Sequence, residues 1–272
     1  LGVLAGLEVI ETLETNGIET EHPVAVGFFT DEEGARFPPD MLGSLVYVGG
    51  MAIEEALDIE GIDGAVVGAE LDRIGYRGPS PCPGPSPRAF VELHVEQGPV
   101  LEAEGVTIGA VTGVQGISWT ELTITGQSNH AGTTPMALRH DPAYVAAKVT
   151  AHVRELATRM GAMGEGRQVA TVGRIELHPN LVNVVAASAS MTVDLRNTDE
   201  ALLQEAESDL ARFVAEAAAA EGVTVVERTL ARFEPVAFDN RVVDVVAAVA
   251  VDLGHSVRRM PSGAGHDAQM LA

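Results

Sequence analysis

Val185-Ala186-Ala187-Ser188-Ala189-Ser190-Met191-Thr192-Val193-Asp194-Leu195-Arg196 alternates along its length between apolar and polar side chains. Val185, Ala187, Ala189, Met191, Val193 and Leu195 fall on one face, and Ser188, Ser190, Thr192, Asp194 and Arg196 on the other. Successive side chains of a strand point to opposite faces, so the pattern predicts a strand with one side on a core and the other in water. The segment that follows, Asp199 to Glu221, changes period. Leu202, Leu203, Ala206, Leu210, Phe213 and Ala217 make a helical stripe. Val223 to Leu230 then reads as a strand again.

The same sequence of periods lies upstream. Gly116 to Gly126 alternates as a strand, Asp141-Pro142 supplies an N-cap and a proline at the first helical position, and Gln168 to Leu177 is a strand. The order β-α-β-β-α-β is the ferredoxin-like pattern. It predicts a small α+β domain over 114–230. The flanking sequence has a different texture. Residues 1–16 form a helix with Val3, Leu7, Ile10 and Leu13 in its stripe and Gly17 at its C-terminal cap. His22 to Thr30 is almost wholly apolar, as expected of a strand in a covered parallel sheet. Phe90 to Glu96 alternates as another strand, and helical segments fall near 40–57 and 240–253. The expectation is an α/β domain in two parts, 1–113 and 231–272, with the ferredoxin-like domain 114–230 inserted between them.

Composition bounds the function. The 272 residues are 46% hydrophobic and 21% charged, an ordinary balance for a chain with a core. Aromatics are only 4%, so that core must be mostly aliphatic. The formal net charge is −22 and the one lysine is Lys148. Such an acidic surface argues against nucleic acid or anionic membrane as a partner. No apolar run reaches the ~20 residues of a membrane helix, and no signal-peptide pattern opens the chain. Cys82 is the single cysteine, so an internal disulfide and a cysteine-rich zinc site are both excluded, and a cytoplasmic protein is the default expectation. The chain begins at Leu1, inside a helical pattern, and stops at Ala272 just after a Gly-His-Asp motif. A fragment shortened at both ends is expected.

Five segments carry groups capable of chemistry. Thr30-Asp31-Glu32-Glu33-Gly34 places three consecutive carboxylates where the apolar run ends. Ligands of open α/β sheets bind beyond such strand ends. A divalent cation would relieve the repulsion, and a carboxylate left unligated could act as general base. An acidic surface loop would give the same letters. Glu92, His94 and Glu96 share one face of the second predicted strand, where His94 is either a metal ligand or a hydrogen-bonded structural histidine. Gly126-Gln-Ser-Asn-His130-Ala-Gly-Thr-Thr-Pro-Met136 packs an imidazole into a turn. Arg196, with Asn183 upstream, offers a guanidinium fork for a carboxylate, unless it pairs with Asp194 on its own strand face. Ser262-Gly-Ala-Gly-His266-Asp267 frees backbone N–H groups beside a His-Asp pair. Adjacent His266 and Asp267 are poorly placed for a Ser-His-Asp relay.

In this order the five segments resemble the hydantoinase/carbamoylase amidases, which include N-carbamoyl-L-amino-acid hydrolases, allantoate amidohydrolases and beta-ureidopropionases. That family lies within the clan of two-metal aminoacylases and exopeptidases. The resemblance runs the length of the chain, through Leu1–Glu8, Phe29–Gly43, Leu93–Glu104, Gly113–Pro135, Val193–Asn197 and Pro261–Ala268. His94-Val-Glu-Gln-Gly-Pro99 and His130-Ala-Gly-Thr-Thr-Pro-Met136 are its most specific motifs. It implies a zinc-exopeptidase-like catalytic domain with a ferredoxin-like lid that also forms a homodimer. It implies hydrolysis of the C–N bond of N-carbamoyl amino acids or ureido acids, with two divalent ions, zinc or manganese. The roles it implies are general base for Glu32 and metal ligands for Glu33 and His94. Gln97, Asn183 and Arg196 would contact substrate, His130 would act at the active site of the partner subunit, and Ser262, Gly263 and His266 would line the pocket.

Two features depart from the family. Its remaining metal ligands correspond to positions before Leu1 and after Ala272, and Val185-Ala186-Ala187 stands where a Pro-Gly turn is usual. The rival expectations are an aminoacylase or exopeptidase of the same clan, and a metal-free dimerisation or binding protein.

Overall fold

The computed structural model describes residues 1–161 and 168–272. The chain divides into two compact units, one of Leu1–Thr112 with Phe238–Ala272, the other Gly113–Ala237. The first unit opens with helices α1 (Gly2–Thr15), α2 (Leu42–Tyr47), α3 (Ile53–Leu57), α4 (Val67–Ile74) and α5 (Val100–Glu104). Strand β1 (Ile108–Val114) then leads into the second unit. That unit holds β2 (Gly116–Thr125), β3 (Asn129–His130), α6 (Pro142–Gly161), β4 (Val169–His178), β5 (Val184–Val185), β6 (Ser188–Asn197), α7 (Glu200–Glu221), β7 (Thr224–Phe233) and β8 (Val236–Ala237). The chain returns to the first unit for α8 (Asn240–Asp252), β9 (Val257–Ser262) and α9 (Asp267–Met270).

In the second unit, four antiparallel strands stand in the order β4-β6-β2-β7. With α6 and α7 in the connections, this is the β-α-β-β-α-β path that the periodicity predicts. Burial in β6 alternates without a break: Ala189, Met191, Val193, Leu195 and Asn197 are buried and the residues between them are not. Leu203, Ala206, Leu210, Val214 and Ala217 of α7 join Val145, Val149, Val153 and Leu156 of α6 in one core with the inner face of this sheet. Asp199 caps α7 by accepting the Leu202 N–H at 3.0 Å, and Asp141 accepts the Ala143 N–H at 2.9 Å at the start of α6. A β-bulge between Trp119 and Thr120 shifts the pairing of β2 with β7.

The strand expected over Val185 to Leu195 is broken. β5 pairs with β3, while β6 pairs with β2 and β4. Ala186 and Ala187 are the switch, and the Ala187 N–H returns to the His178 carbonyl at 2.7 Å. The helix expected over 40–57 is likewise two helices. Gly49 has φ +82°, and the Gly50 N–H closes on the Leu45 carbonyl at 2.9 Å, which ends α2.

Three expectations for the first unit are overturned. His22–Thr30 and Phe90–Glu96 belong to no strand among the described residues. A strand requires a neighbour for its N–H and C=O groups, and apolar patterning specifies faces, not partners. Phe28, Val91, Leu93 and Val95 are correspondingly exposed. The stripe predicted for α1 is not buried either, with Val3 and Leu7 exposed. The close-packed face of α1 is its glycines. A Cβ on Gly6 would lie 2.8 Å from Val26 Cγ1, and one on Gly2 would lie 3.0 Å from the Leu93 carbonyl oxygen. The unit's apolar clusters are small, one around Phe37, Leu42, Val46, Ala56 and Val67 and another around Ala110, Val243 and Ala247.

Candidate functional site

In the first unit, Thr30–Gly43 forms a closed loop. Gly43 donates to the Thr30 carbonyl at 2.9 Å and Met41 to the Glu32 carbonyl at 2.7 Å. Asp31 adopts φ +56°, uncommon for a residue with a Cβ. Gly34 has φ +59°, and a Cβ there would meet the Asp40 backbone nitrogen at 2.5 Å, so only glycine fits. The loop displays Glu32 half-buried and Glu33 exposed. Burial pushes the Glu32 carboxyl above its usual range, and the negative charges of Asp267, Glu33 and Glu92 push it the same way, against the opposing effect of His94. The structure therefore gathers Glu32, Glu92, His94 and Asp267 into one electrostatic neighbourhood. Asp267 is also raised by burial, with a hydrogen bond from Ser44 acting the other way.

His94 is exposed, and its Nδ1 lies 2.6 Å from the Val95 carbonyl oxygen. A carbonyl only accepts, so the neutral ring carries its proton on Nδ1 and leaves Nε2 bare, the arrangement of a metal-binding imidazole. The His94 ring centroid is 5.6 Å from that of His266. His266 is buried, and burial together with His94 holds it below the ordinary imidazole range. Gln97 is exposed at φ +53°. Ser262 Oγ donates to the Ala264 carbonyl at 2.8 Å, so its hydroxyl serves its own turn, and Gly263 is exposed beside it. Among the described residues, no group of three or more His, Cys, Asp or Glu side chains could hold a metal ion. Catalytic zinc keeps three protein ligands, so Glu33 and His94 alone do not fit a metal centre.

In the second unit, β3 and β5 bring two of the expected residues together. His130 stands opposite Val184, and Ala131 donates to the Asn183 carbonyl at 2.9 Å. Gly132 N–H donates to His130 Nδ1 at 3.1 Å. That assigns the proton of the neutral, exposed ring to Nε2 and makes it a hydrogen-bond donor. Arg196 lies on β6 opposite Ile117 and Val169. Its guanidinium sits 5.7 Å from the centroid of Trp119 and its fork is turned onto Asp194, with Nη2 2.8 Å from Oδ2 and Nε 3.0 Å from Oδ1.

Sequence reasoning assigned no role to Glu92 or Ser44. Glu92 did leave a signal, since it shares the alternating face of His94. Ser44, fully buried in α2, left none.

A family model described as peptidase family M20/M25/M40 matches residues 1–272. An N-carbamoyl-L-amino-acid amidohydrolase of Rhizobium meliloti is 38% identical over 270 residues, which are 98% of this chain and 64% of that protein. An allantoate amidohydrolase of Escherichia coli strain K12 is 33% identical over 273 residues, covering 100% of this chain and 66% of that protein. Among solved structures, an amidase of the hydantoinase/carbamoylase family from Burkholderia multivorans superposes with a TM-score of 0.94 at 45% identity, covering 100% of this chain and 65% of that one. The chain thus spans just under two thirds of the length of these relatives.

Proposed function

The chain belongs to peptidase family M20/M25/M40, and from that premise we propose that the whole protein is an amidohydrolase cleaving the C–N bond of N-carbamoyl amino acids or related ureido acids. The observation that carries the reading is Glu32, a half-buried carboxyl raised by burial and by three neighbouring carboxylates. Efficient proton transfer asks for a base whose pKa is brought toward the working pH. The substrate class follows the relatives, which are carbamoyl and allantoate amidohydrolases.

Glu32 takes the proton of the attacking water and returns it to the leaving amine. His130, with Nε2–H as donor, is proposed to stabilise charge on the scissile carbonyl, an effect of about 3–4 kcal/mol for a well-aimed donor. Asn183, Arg196 and Gln97 are the proposed substrate contacts. For Arg196 this entails exchanging Asp194 for the substrate carboxylate. Ser262, Gly263 and His266 are the proposed pocket wall. Two divalent ions, zinc or manganese, are the proposed cofactors of the whole protein, to which this chain contributes Glu33 and His94. The first unit is the proposed catalytic domain, of the zinc-exopeptidase type, and the second the proposed lid and homodimer surface. Support for the latter is that β4 and β7 edge the sheet with Val169, Ile175, Val226 and Leu230 exposed.

A panel of N-carbamoyl, N-acetyl and dipeptide substrates offered to the whole protein tests the reading. Preference for the N-carbamoyl compounds supports it. Preference for dipeptides or N-acetyl amino acids would establish the exopeptidase or aminoacylase alternative instead. No turnover of any of them, with metal supplied, would leave a binding protein.

A further inference from the structure

Glu92 belongs to the extended segment that carries His94, yet its side chain is spent elsewhere. It is 17% exposed, and a carboxylate that sheltered needs donors. Oε2 accepts the Ala268 N–H at 2.9 Å, across 176 positions of sequence. The same oxygen lies 3.7 Å from His266 Nδ1. That distance is beyond a hydrogen bond, though a small rotation of either side chain would close it. His266 itself is 5% exposed, and its Nδ1 is buried without a hydrogen-bond partner. The rings of His94 and Phe238 flank it, with centroids 5.6 and 5.9 Å away. The ring is thus held in place by packing, while its polar atom meets only the edge of a carboxylate.

We propose that Glu92 is a positioning residue that fixes the ring orientation and tautomer of His266 while tying the Ser262–Ala268 turn to the His94 segment. A neutral imidazole has one N–H and one bare nitrogen, and the partner of one nitrogen decides the state of the other. With the Glu92 carboxylate facing Nδ1, the proton rests on Nδ1 and Nε2 is left as an acceptor for a bound molecule. The Ala268 bond holds the same oxygen in place, so the tautomer and the turn share one anchor. The inference rests on the proposed function only in taking His266 as part of the substrate pocket.

The test is the tautomer of His266, read by long-range proton–nitrogen correlation on histidine-labelled protein. Four proteins are compared: the unaltered chain, Glu92→Gln, Glu92→Ala and a control, Glu104→Gln, whose carboxylate pairs with Arg258 instead. The unaltered chain and the control should show the proton on Nδ1. Glu92→Gln still offers an oxygen to Ala268 and to the ring and should keep the Nδ1–H form, whereas Glu92→Ala offers neither and should shift His266 toward the Nε2–H form. In the whole protein Glu92→Ala should lower kcat by roughly 10- to 100-fold, the usual cost of losing such an outer partner, with KM changing less. An Nε2–H tautomer in the unaltered chain, which needs no variant to observe, overturns the proposal. So does a Glu92→Ala protein whose His266 is unchanged. A tautomer that shifts as expected in a protein with no carbamoylase activity upholds the positioning and overturns only the functional reading.

Discussion

Asn197 closes β6 immediately after Arg196 and is fully buried. Its Nδ2 donates to Gln168 Oε1 at 2.8 Å, and its Oδ1 accepts the Asp199 N–H at 3.0 Å. Asn197→Ala would orphan the Gln168 Oε1 acceptor in a buried site and strip the part-buried Asp199 N–H of its partner. A buried, unsatisfied group costs about 1–3 kcal/mol and a part-buried one less, so with the small void the loss is about 3 kcal/mol. A domain of this size is stable by about 5–15 kcal/mol, so a large share would be lost. The single tryptophan, Trp119, lies in β2 of the same unit, so its fluorescence follows the unfolding of that unit in urea. With a slope of about 2 kcal/mol/M, the midpoint should fall by about 1.5 M while the slope stays constant. Gln204→Ala removes an exposed bond to Glu200 and should cost under about 0.5 kcal/mol. An Asn197→Ala cost below about 1 kcal/mol would refute the claim that this buried amide holds the end of β6.

The remaining predictions concern charge and backbone. Asp209 would be raised by burial, but the Arg159 hydrogen bond and the charges of Arg159, His152 and Arg212 outweigh this and leave it below the usual carboxylate range. A depressed folded value means stability present above the unfolded value and lost as pH falls through the folded one. Asp209→Asn should therefore cost about 1–3 kcal/mol at pH 7 in chemical denaturation, with the gap to the unaltered protein closing below about pH 4. Gly75 and Gly34 both have positive φ, at +73° and +59°. A Cβ on Gly75 meets nothing within 4 Å, so Gly75→Ala should cost only the backbone strain of about 1–2 kcal/mol. Gly34→Ala adds the 2.5 Å clash with Asp40 and should lower the melting temperature by more. Equal shifts for the two would contradict the closed loop under Glu32.

The second unit was the legible part because its signals are local. In β6 the alternation of Ala189, Met191, Val193 and Leu195 with their neighbours coincides with the burial observed, since a sheet with one wet face imposes period two. The break at Ala186–Ala187 was not legible, because alanine suits either side of a strand and gives no stop signal. The first unit was harder. Val24–Phe29 has the apolar run of a strand, but hydrogen-bond partners are set by distant chain, which no local period encodes. The α1 stripe predicts a burial that does not occur, because close packing at Gly2 and Gly6 uses the residues that hydrophobic patterning counts least. At the candidate site the proposed residues are visible as motifs, whereas the bond from Ala268 to Glu92 spans 176 positions and is found only in the fold.

The central claim is that Glu32 is the base of a carbamoyl amidohydrolase. The measurement that bears on it most directly is ammonia release from an N-carbamoyl amino acid by the whole protein and its Glu32→Gln variant at matched metal content. The account predicts a fall in kcat of about 10²–10⁴-fold with folding unchanged and KM little altered. A variant that retained kcat within a few-fold of the unaltered protein would contradict it.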